Sequence, residues 1–180
     1  MDTILKTGIW HQFGATIDYL ADTVRDCPDR LWLSLMWNNP EEPPAFSQVW
    51  YRVYHTLFWL DLYLTGAEEG FVPPALFTLI EQYDDGPLPD RVYTKEELQA
   101  YLGDCRQRCK ATIEALTGET AQRICRFPWG EASFFELLIY NMRHVQEHAS
   151  QLSLLLGQQG VSVPDYVTQT DRDVSGRTSR

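Results

Sequence analysis

Four stretches of the chain place apolar residues at alternating intervals of three and four positions. This spacing aligns the apolar side chains along one side of an α-helix, and we find no stretch with the alternation of a half-buried strand. The stripes contain Trp10, Phe13, Ile17, Leu20 and Val24 in the first stretch; Trp50, Val53, Leu57, Leu60 and Leu64 in the second; Leu98, Leu102, Cys105, Cys109 and Leu116 in the third; and a nearly continuous apolar run from Phe134 onwards in the fourth. Amphipathic helices of about 20 to 25 residues bury such stripes most simply against one another. The sequence therefore predicts an all-α fold, a four-helix bundle.

Two of the predicted helices begin with a recognisable signal. Thr94 with Glu97, and Ser133 with Glu136, form capping boxes, in which each side chain satisfies a free backbone N–H group of the first turn. Gly118 follows the last apolar residue of the third stretch, and we expect it to close that helix.

The connections between the helices are of unequal length. Residues 28–46 and 67–93 are rich in proline and far exceed the roughly 2 to 8 residues that usually join neighbouring helices. Such long crossover connections indicate a topology other than simple up-down-up-down. We expect their aromatic residues to form the roof of a pocket: Trp32, Trp37, Phe71 and Phe77.

Length and composition limit the class of protein. The 180 residues fit one bundle domain, which we place at 1–159, followed by a loose polar tail at 160–180. A net charge of −10 disfavours nucleic acid as a partner, since phosphate binding needs clustered Lys and Arg. No apolar run approaches the roughly 18 residues of a membrane span, so we expect no membrane partner. The four cysteines form no C-x-x-C pair, which favours a soluble, cytoplasmic protein with reduced thiols.

Polar side chains interrupt the apolar surface of the fourth predicted helix. They are Asn141, His144, His148 and Gln151. Their intervals of three, four and three place them on one face, where burial without partners would cost about 1–3 kcal/mol each. Two imidazoles at positions i and i+4 lie one turn apart and can reach the same metal ion. The pattern therefore indicates either a metal site or two histidines that are hydrogen-bonded to neighbouring helices.

A third histidine lies in the second predicted helix. His55 is surrounded by apolar residues, where a single histidine is more often a core residue with hydrogen-bonding partners. Three of the four histidines nevertheless fall inside hydrophobic helices, and only His11 lies off the apolar stripe of its helix, where we expect it to be exposed or at the pocket rim. The three histidines together therefore favour a metal site, with His55, His144 and His148 as its candidate ligands.

Other metal and nucleotide motifs are excluded by the sequence. A ferritin-like di-iron site needs Glu-x-x-His, but the residues three positions before the helical histidines are Arg52, Asn141 and Val145. Neither H-E-x-x-H nor a G-x-x-x-x-G-K phosphate loop is present. Cys105 and Cys109 continue an apolar stripe, so we interpret them as buried core residues.

The histidine pattern is similar to that of a known family. The run WGEASFFELLIYNMRHVQEHASQLSLLL resembles the last helix of the DinB-like (YfiT-like) metalloenzymes, which carry H-x-x-x-H and a Gln three residues later, as His144, His148 and Gln151 do here. HTLFWLDLYL, which begins at His55, looks like the family's second helix, where the remaining histidine ligand lies. The resemblance covers roughly residues 3–157. It implies a four-helix bundle with a long crossover, a divalent metal held by three histidines, and frequent homodimers.

A three-histidine site of this kind has a restricted set of functions. Three neutral imidazoles leave a divalent ion with open coordination positions, as in catalytic sites. Among ions that imidazole suits we expect Zn or Ni first, with Fe, Cu or Mn as alternatives. The resemblance implies a metal-dependent enzyme acting on a small molecule, either an S-transferase that uses a low-molecular-weight thiol or a hydrolase. The alternative is a non-catalytic metal- or ligand-binding stress-response module.

Four further side chains are candidates for the pocket. Asn141 and Gln151 share the ligand face, and each either supports a ligand or hydrogen-bonds a helix backbone. Tyr51 lies one turn before His55, and Arg52 is a cation that could bind an anionic thiol. The second helix is apolar on more than one face, which together with the resemblance predicts a homodimer.

Overall fold

Four long helices pack side by side in the computed structural model, which describes residues 3–41, 43–83 and 86–170. In chain order the elements are α1 (Thr3–Asp26), α2 (Val49–Thr65), α3 (Lys95–Ala115), the one-turn helix α4 (Gly118–Gln122), strands β1 (Ile124–Phe127) and β2 (Gly130–Ser133), and α5 (Phe134–Gln158). The predicted four-helix bundle is confirmed. Among the described residues, no helix is both long and apolar enough to cross a membrane.

Both predicted capping boxes are formed. Thr94 Oγ1 accepts a hydrogen bond from the Glu97 amide at 3.2 Å, and the Thr94 amide donates to the Glu97 carboxylate at 2.9 Å. At the start of α5, Ser133 Oγ accepts from the Glu136 amide at 3.3 Å and the Ser133 amide donates to Glu136 at 2.8 Å. α2 ends at Thr65 and is capped by Gly66, whose φ of 79° suits a residue without a side chain.

The long crossovers determine which helices are neighbours. α1 and α2 each pack against both α3 and α5, so the first two helices lie diagonally opposite in the bundle. In a simple up-down-up-down bundle, consecutive helices would be adjacent. The predicted departure from that topology is therefore confirmed, and it makes α2 and α5 direct neighbours.

The segment between α3 and α5 differs from the sequence prediction. Gly118 does not close α3, which ends at Ala115; it begins α4, with Thr117 as its capping residue. β1 and β2 then form an antiparallel hairpin, although we expected no strands. Each strand has four residues, which is too short to show a clear alternation.

The four aromatic residues that we expected to roof a pocket pack against the helices instead. Trp32, Phe71 and Phe77 are buried in the core, and Phe77 stacks on Tyr101 with ring centroids 4.5 Å apart. Trp37 is half-buried, with the Arg52 guanidinium 4.7 Å from its ring centroid. The expectation that these four residues roof a pocket is thus wrong, because their rings fill space between the loops and the helices.

The expected loose tail is partly ordered against the bundle. Within the described part, the Thr170 amide donates to the His11 carbonyl at 3.0 Å, and the Thr170 hydroxyl is buried against Asp18 and Arg106. We call Asp18, Arg106 and Thr170 the ion-pair cluster. A single hydroxyl that completes a buried ion pair is not visible as a sequence pattern. Residues 171–180 lie outside the described part.

Candidate metal centre

Two neighbouring helices bring the three predicted histidines together. His144 and His148 lie one turn apart on α5, and His55 lies on the adjacent α2. The Nε2 atoms of His144 and His55 are 3.2 Å apart, and those of His148 and His144 are 3.1 Å apart. All three residues offer ligand atoms within 4.8 Å of one another. We call them the histidine cluster.

The other ring nitrogen, Nδ1, has different surroundings in each of the three histidines. His148 Nδ1 lies 2.8 Å from Gln151 Oε1, while the Gln151 amide nitrogen donates to Glu147 at 3.4 Å. His55 Nδ1 contacts Glu81 Oε1. His144 Nδ1 is buried and has no hydrogen-bond partner among the described residues. The Gln151 contact places the proton of His148 on Nδ1 and leaves the Nε2 lone pair free for the centre of the cluster.

Burial keeps the two α5 histidines neutral. It is the main cause that lowers the pKa of His144 to about 2, followed by the neighbouring His55 and His148. Burial also lowers the pKa of His148 to about 3, against the opposite effect of the hydrogen bond to Gln151. Both rings are therefore neutral at pH 7, which is the form that binds metals.

The separations suit a divalent ion. A metal–nitrogen distance near 2.0–2.1 Å places two imidazole nitrogens about 2.8–3.4 Å apart for angles of about 90–110° at the ion. The observed 3.1 and 3.2 Å fall in that range. The donor set of the histidine cluster thus fits a transition metal, and the cluster could hold one ion.

Comparison with known proteins identifies the family. The model of the DinB superfamily matches residues 12–152. The chain belongs to the DinB superfamily. A comparison with curated proteins finds no match.

Glu81 is a half-buried polar residue that the sequence analysis did not select. It lies in a short 3₁₀ helix, Leu79–Gln82, within the second crossover, and its side chain is only 6% exposed. Its carboxylate contacts His55, Tyr51 and Trp59. No spacing rule connects a loop glutamate to a histidine 26 positions earlier. The three contacting residues, however, stand at intervals of four on α2. This row of hydrogen-bond donors on one helix face was the sequence signal for a nearby acceptor.

The four predicted pocket residues of this DinB superfamily protein have different roles. Gln151 contacts a ring nitrogen of the histidine cluster, whereas Asn141 donates to the Leu60 carbonyl at 2.9 Å. Of the two alternatives for Asn141, the structure thus shows the backbone contact. The Tyr51 hydroxyl donates to Glu81, and Arg52 donates to the Phe46 carbonyl at 3.2 Å. His11 is half-buried on α1, and its carbonyl accepts from the tail.

A cavity of about 650 Å³ opens beside the histidine cluster. His55 and His144 line it, while His148 is 8% exposed. The aromatic lining of the cavity consists of Phe46, Tyr51, Trp59, Tyr63, Tyr83 and Tyr140. Charged lining residues include Glu41, Arg52 and Glu81. The cavity has the size and mixed lining of a small-molecule site.

Proposed function

We propose that this DinB superfamily protein is a metal-dependent enzyme that binds one divalent ion through Nε2 of His55, His144 and His148. Zn or Ni are the first candidates, and Fe, Cu or Mn are alternatives. The observation that carries the proposal is the convergence of three imidazole nitrogens at the edge of a small-molecule cavity. Because His55 and His144 line the cavity, a substrate placed there would be next to the open side of the site.

The residues of the chain would contribute to metal-dependent catalysis in separate ways. The histidine cluster would hold the ion, and the aromatic lining would reduce the access of water to the cavity. Arg52 lines the same cavity and provides a positive charge for a carboxylate of the substrate. A bound divalent ion would supply Lewis acidity, which lowers the pKa of a coordinated water or thiol.

The first test measures metal stoichiometry. Elemental analysis of protein purified without an affinity tag should give about one divalent ion per chain. His144→Ala and His148→Ala should each abolish that occupancy, because two remaining imidazoles bind an ion far more weakly. His11→Ala is the matched control, since His11 lies outside the histidine cluster. Full occupancy in either α5 variant would show that the three-histidine assignment is wrong.

For the reaction, we propose thiol-dependent S-transfer. A new S–C bond would form as the bond from carbon to the leaving group breaks with its electron pair, and the thiol proton would go to solvent. Arg52 in the cavity lining favours a thiol that carries a carboxylate. Hydrolysis of a small molecule, or binding without turnover as a stress-response module, is the alternative.

The second test distinguishes these reactions. Metal-loaded protein is mixed with a panel of low-molecular-weight thiols and a generic electrophile, and conjugate formation is followed. A rate above that of the reagents alone, together with a thiol-induced change in the spectrum of the cobalt-substituted protein, would support S-transfer. If neither is observed, hydrolysis or non-catalytic binding replaces it.

Homodimerisation and a cytoplasmic location stay predictions. Within α2, only Arg52, His55, Trp59 and Thr65 are more than slightly exposed, so the apolar faces that suggested a dimer are covered by the chain itself. Light scattering decides between a mass near 20.8 kDa and twice that value. The four cysteines are free and buried, in keeping with a reducing compartment.

A further inference from the structure

We propose that Glu81 is a positioning residue that fixes the ring of His55 so that its Nε2 atom faces the metal. This inference rests on the proposed metal centre and assigns a role to a residue outside the predicted ligand set. Glu81 reaches His55 from the second crossover, through contact of its Oε1 atom with His55 Nδ1. Where a carboxylate oxygen faces an imidazole nitrogen, the ring N–H is the donor, so this contact favours the proton on Nδ1 and leaves the Nε2 lone pair free.

Glu81 is itself held in place by α2. Trp59 Nε1 donates to Glu81 Oε1 at 3.3 Å, and the Tyr51 hydroxyl donates to Glu81 Oε2. Together with His55, these donors stand at intervals of four along one face of α2. A side chain that is 6% exposed and receives three donors has little freedom to rotate. The carboxylate is therefore a fixed acceptor for the imidazole.

The three histidines differ in how their rings are oriented. His148 is oriented by Gln151 from its own helix, three residues away, and His144 Nδ1 has no partner among the described residues. His55 alone of these contacts a carboxylate, and this carboxylate comes from a separate segment of the chain. A carboxylate on the outer nitrogen makes an imidazole a more basic ligand than a neutral amide does. We therefore expect Glu81 to strengthen metal binding as well as to orient the ring.

A purely structural role for Glu81 makes different predictions. Through Tyr51 and Trp59, the carboxylate also attaches the second crossover to α2. If that attachment were its whole contribution, removing it would lower stability without changing the His55 tautomer or the intrinsic metal affinity. The tautomer of His55 in metal-free protein and the metal affinity of the folded protein are therefore the decisive readouts.

The experiment compares Glu81→Gln and Glu81→Ala with the wild type and with Glu69→Gln, an exposed residue of the same crossover. Metal affinity is measured by competition with a chelator, using zinc as the probe. We expect affinity to fall about 10-fold in Glu81→Gln, which keeps an acceptor oxygen but loses the charge, and up to about 100-fold in Glu81→Ala. Glu69→Gln should leave the affinity unchanged.

Nitrogen chemical shifts of the imidazoles then report the tautomer in metal-free protein. His55 should carry its proton on Nδ1 in the wild type and in Glu81→Gln, and shift towards the Nε2–H form in Glu81→Ala. A wild type that binds no zinc would refute the proposed metal centre and this inference with it. If the wild type binds zinc while both Glu81 variants keep its affinity and tautomer, the role of Glu81 alone is refuted.

Discussion

The bundle contains two polar clusters, one fully buried and one at the edge of the cavity, that differ in how their polar atoms are paired. In the ion-pair cluster, Arg106 Nε donates to Asp18 at 2.8 Å, Arg106 Nη2 donates to Thr170 at 3.0 Å, and the Thr170 hydroxyl donates to Asp18. Donors and acceptors are matched within the protein. In the histidine cluster, the imidazoles direct their Nε2 atoms at one another at 3.1 and 3.2 Å.

This difference separates a structural cluster from a candidate binding site. Burying polar groups is tolerated when donors and acceptors are paired, and the ion-pair cluster meets that condition without any ligand. Converging lone pairs repel each other unless a proton or a cation lies between them. The Nδ1 contacts of His148 and His55 place the protons of these two rings away from the centre of the cluster, so a metal ion is a species that would balance the histidine cluster.

The largest expected effect comes from breaking the ion-pair cluster. Arg106→Ala leaves Asp18, which is 1% exposed, as a buried charge without its cation. We expect the free energy of unfolding to fall by about 3–5 kcal/mol, measured by urea denaturation of metal-free protein. The metal-to-protein ratio of the folded variant should not change, because Arg106 is not part of the histidine cluster.

Arg126→Ala is the matched control for this variant. Arg126 pairs with Glu131 on the hairpin at 2.7 Å, but both side chains are exposed, and such pairs contribute little to stability. Equal losses in the two variants would mean that burial does not distinguish the ion-pair cluster from a surface ion pair.

An intermediate effect is expected from acid. The folded-state pKa values of His144 and His148, about 2 and about 3, lie below the ordinary value of 6.5. Between pH 6.5 and about 3, the unfolded chain therefore binds more protons than the folded one, and stability decreases as the pH falls. For two histidines, the free energy of unfolding of metal-free protein falls by up to about 2 kcal/mol between pH 6 and pH 5.

Carboxylates also titrate in acid, so this prediction is tested by comparing the pH dependence of stability between variants and the wild type. The double variant His144→Gln, His148→Gln should show a shallower decrease in stability with falling pH, whereas His11→Gln should follow the wild type. Urea unfolding at a series of pH values provides the data. Equal slopes in the double variant and the wild type would contradict buried, neutral histidines.

The sequence alone predicted the parts of this protein that depend on local spacing. The capping boxes of α3 and α5 and the shared face of His144 and His148 are set by residues within one helical turn. The placement of His55 opposite them needed a bundle in which α2 and α5 are neighbours, and the long crossovers indicated such a change of topology. Local periodicity and the long crossovers were therefore sufficient to predict the four long helices, and together with the family resemblance they indicated the histidine cluster.

Contacts between distant segments were not predictable in this way. Glu81 reaches α2 from an irregular loop, and Thr170 reaches α1 from a segment that we expected to be loose. Each contact depends on the path of a connection whose residues have no periodic pattern. The hairpin was missed for another reason, since two strands of four residues are too short to identify by alternation.

The smallest expected effect is the loss of stability when His144 is removed from metal-free protein. His144→Ala deletes a neutral ring whose Nδ1 atom is buried without a partner among the described residues. Removing an unsatisfied polar group recovers free energy that offsets the lost packing, and water can fill the space because His144 lines the cavity. We expect a change of about 1 kcal/mol or less in urea unfolding with a chelator present.

Leu137→Ala on the same helix is the control for this last prediction. Leu137 is 0% exposed, so its truncation should cost about 2–5 kcal/mol with or without metal. Zinc at 100 times its dissociation constant should stabilise the wild type and Leu137→Ala by about 2.7 kcal/mol, and His144→Ala far less. If His144→Ala were as destabilising as Leu137→Ala in the presence of chelator, the histidine cluster would be a structural element like the ion-pair cluster. The alternative outcome is a small loss of stability in His144→Ala with chelator and a large difference in stability from the wild type with zinc. That outcome would mean that a metal ion completes the histidine cluster, whereas the protein's own charges complete the ion-pair cluster.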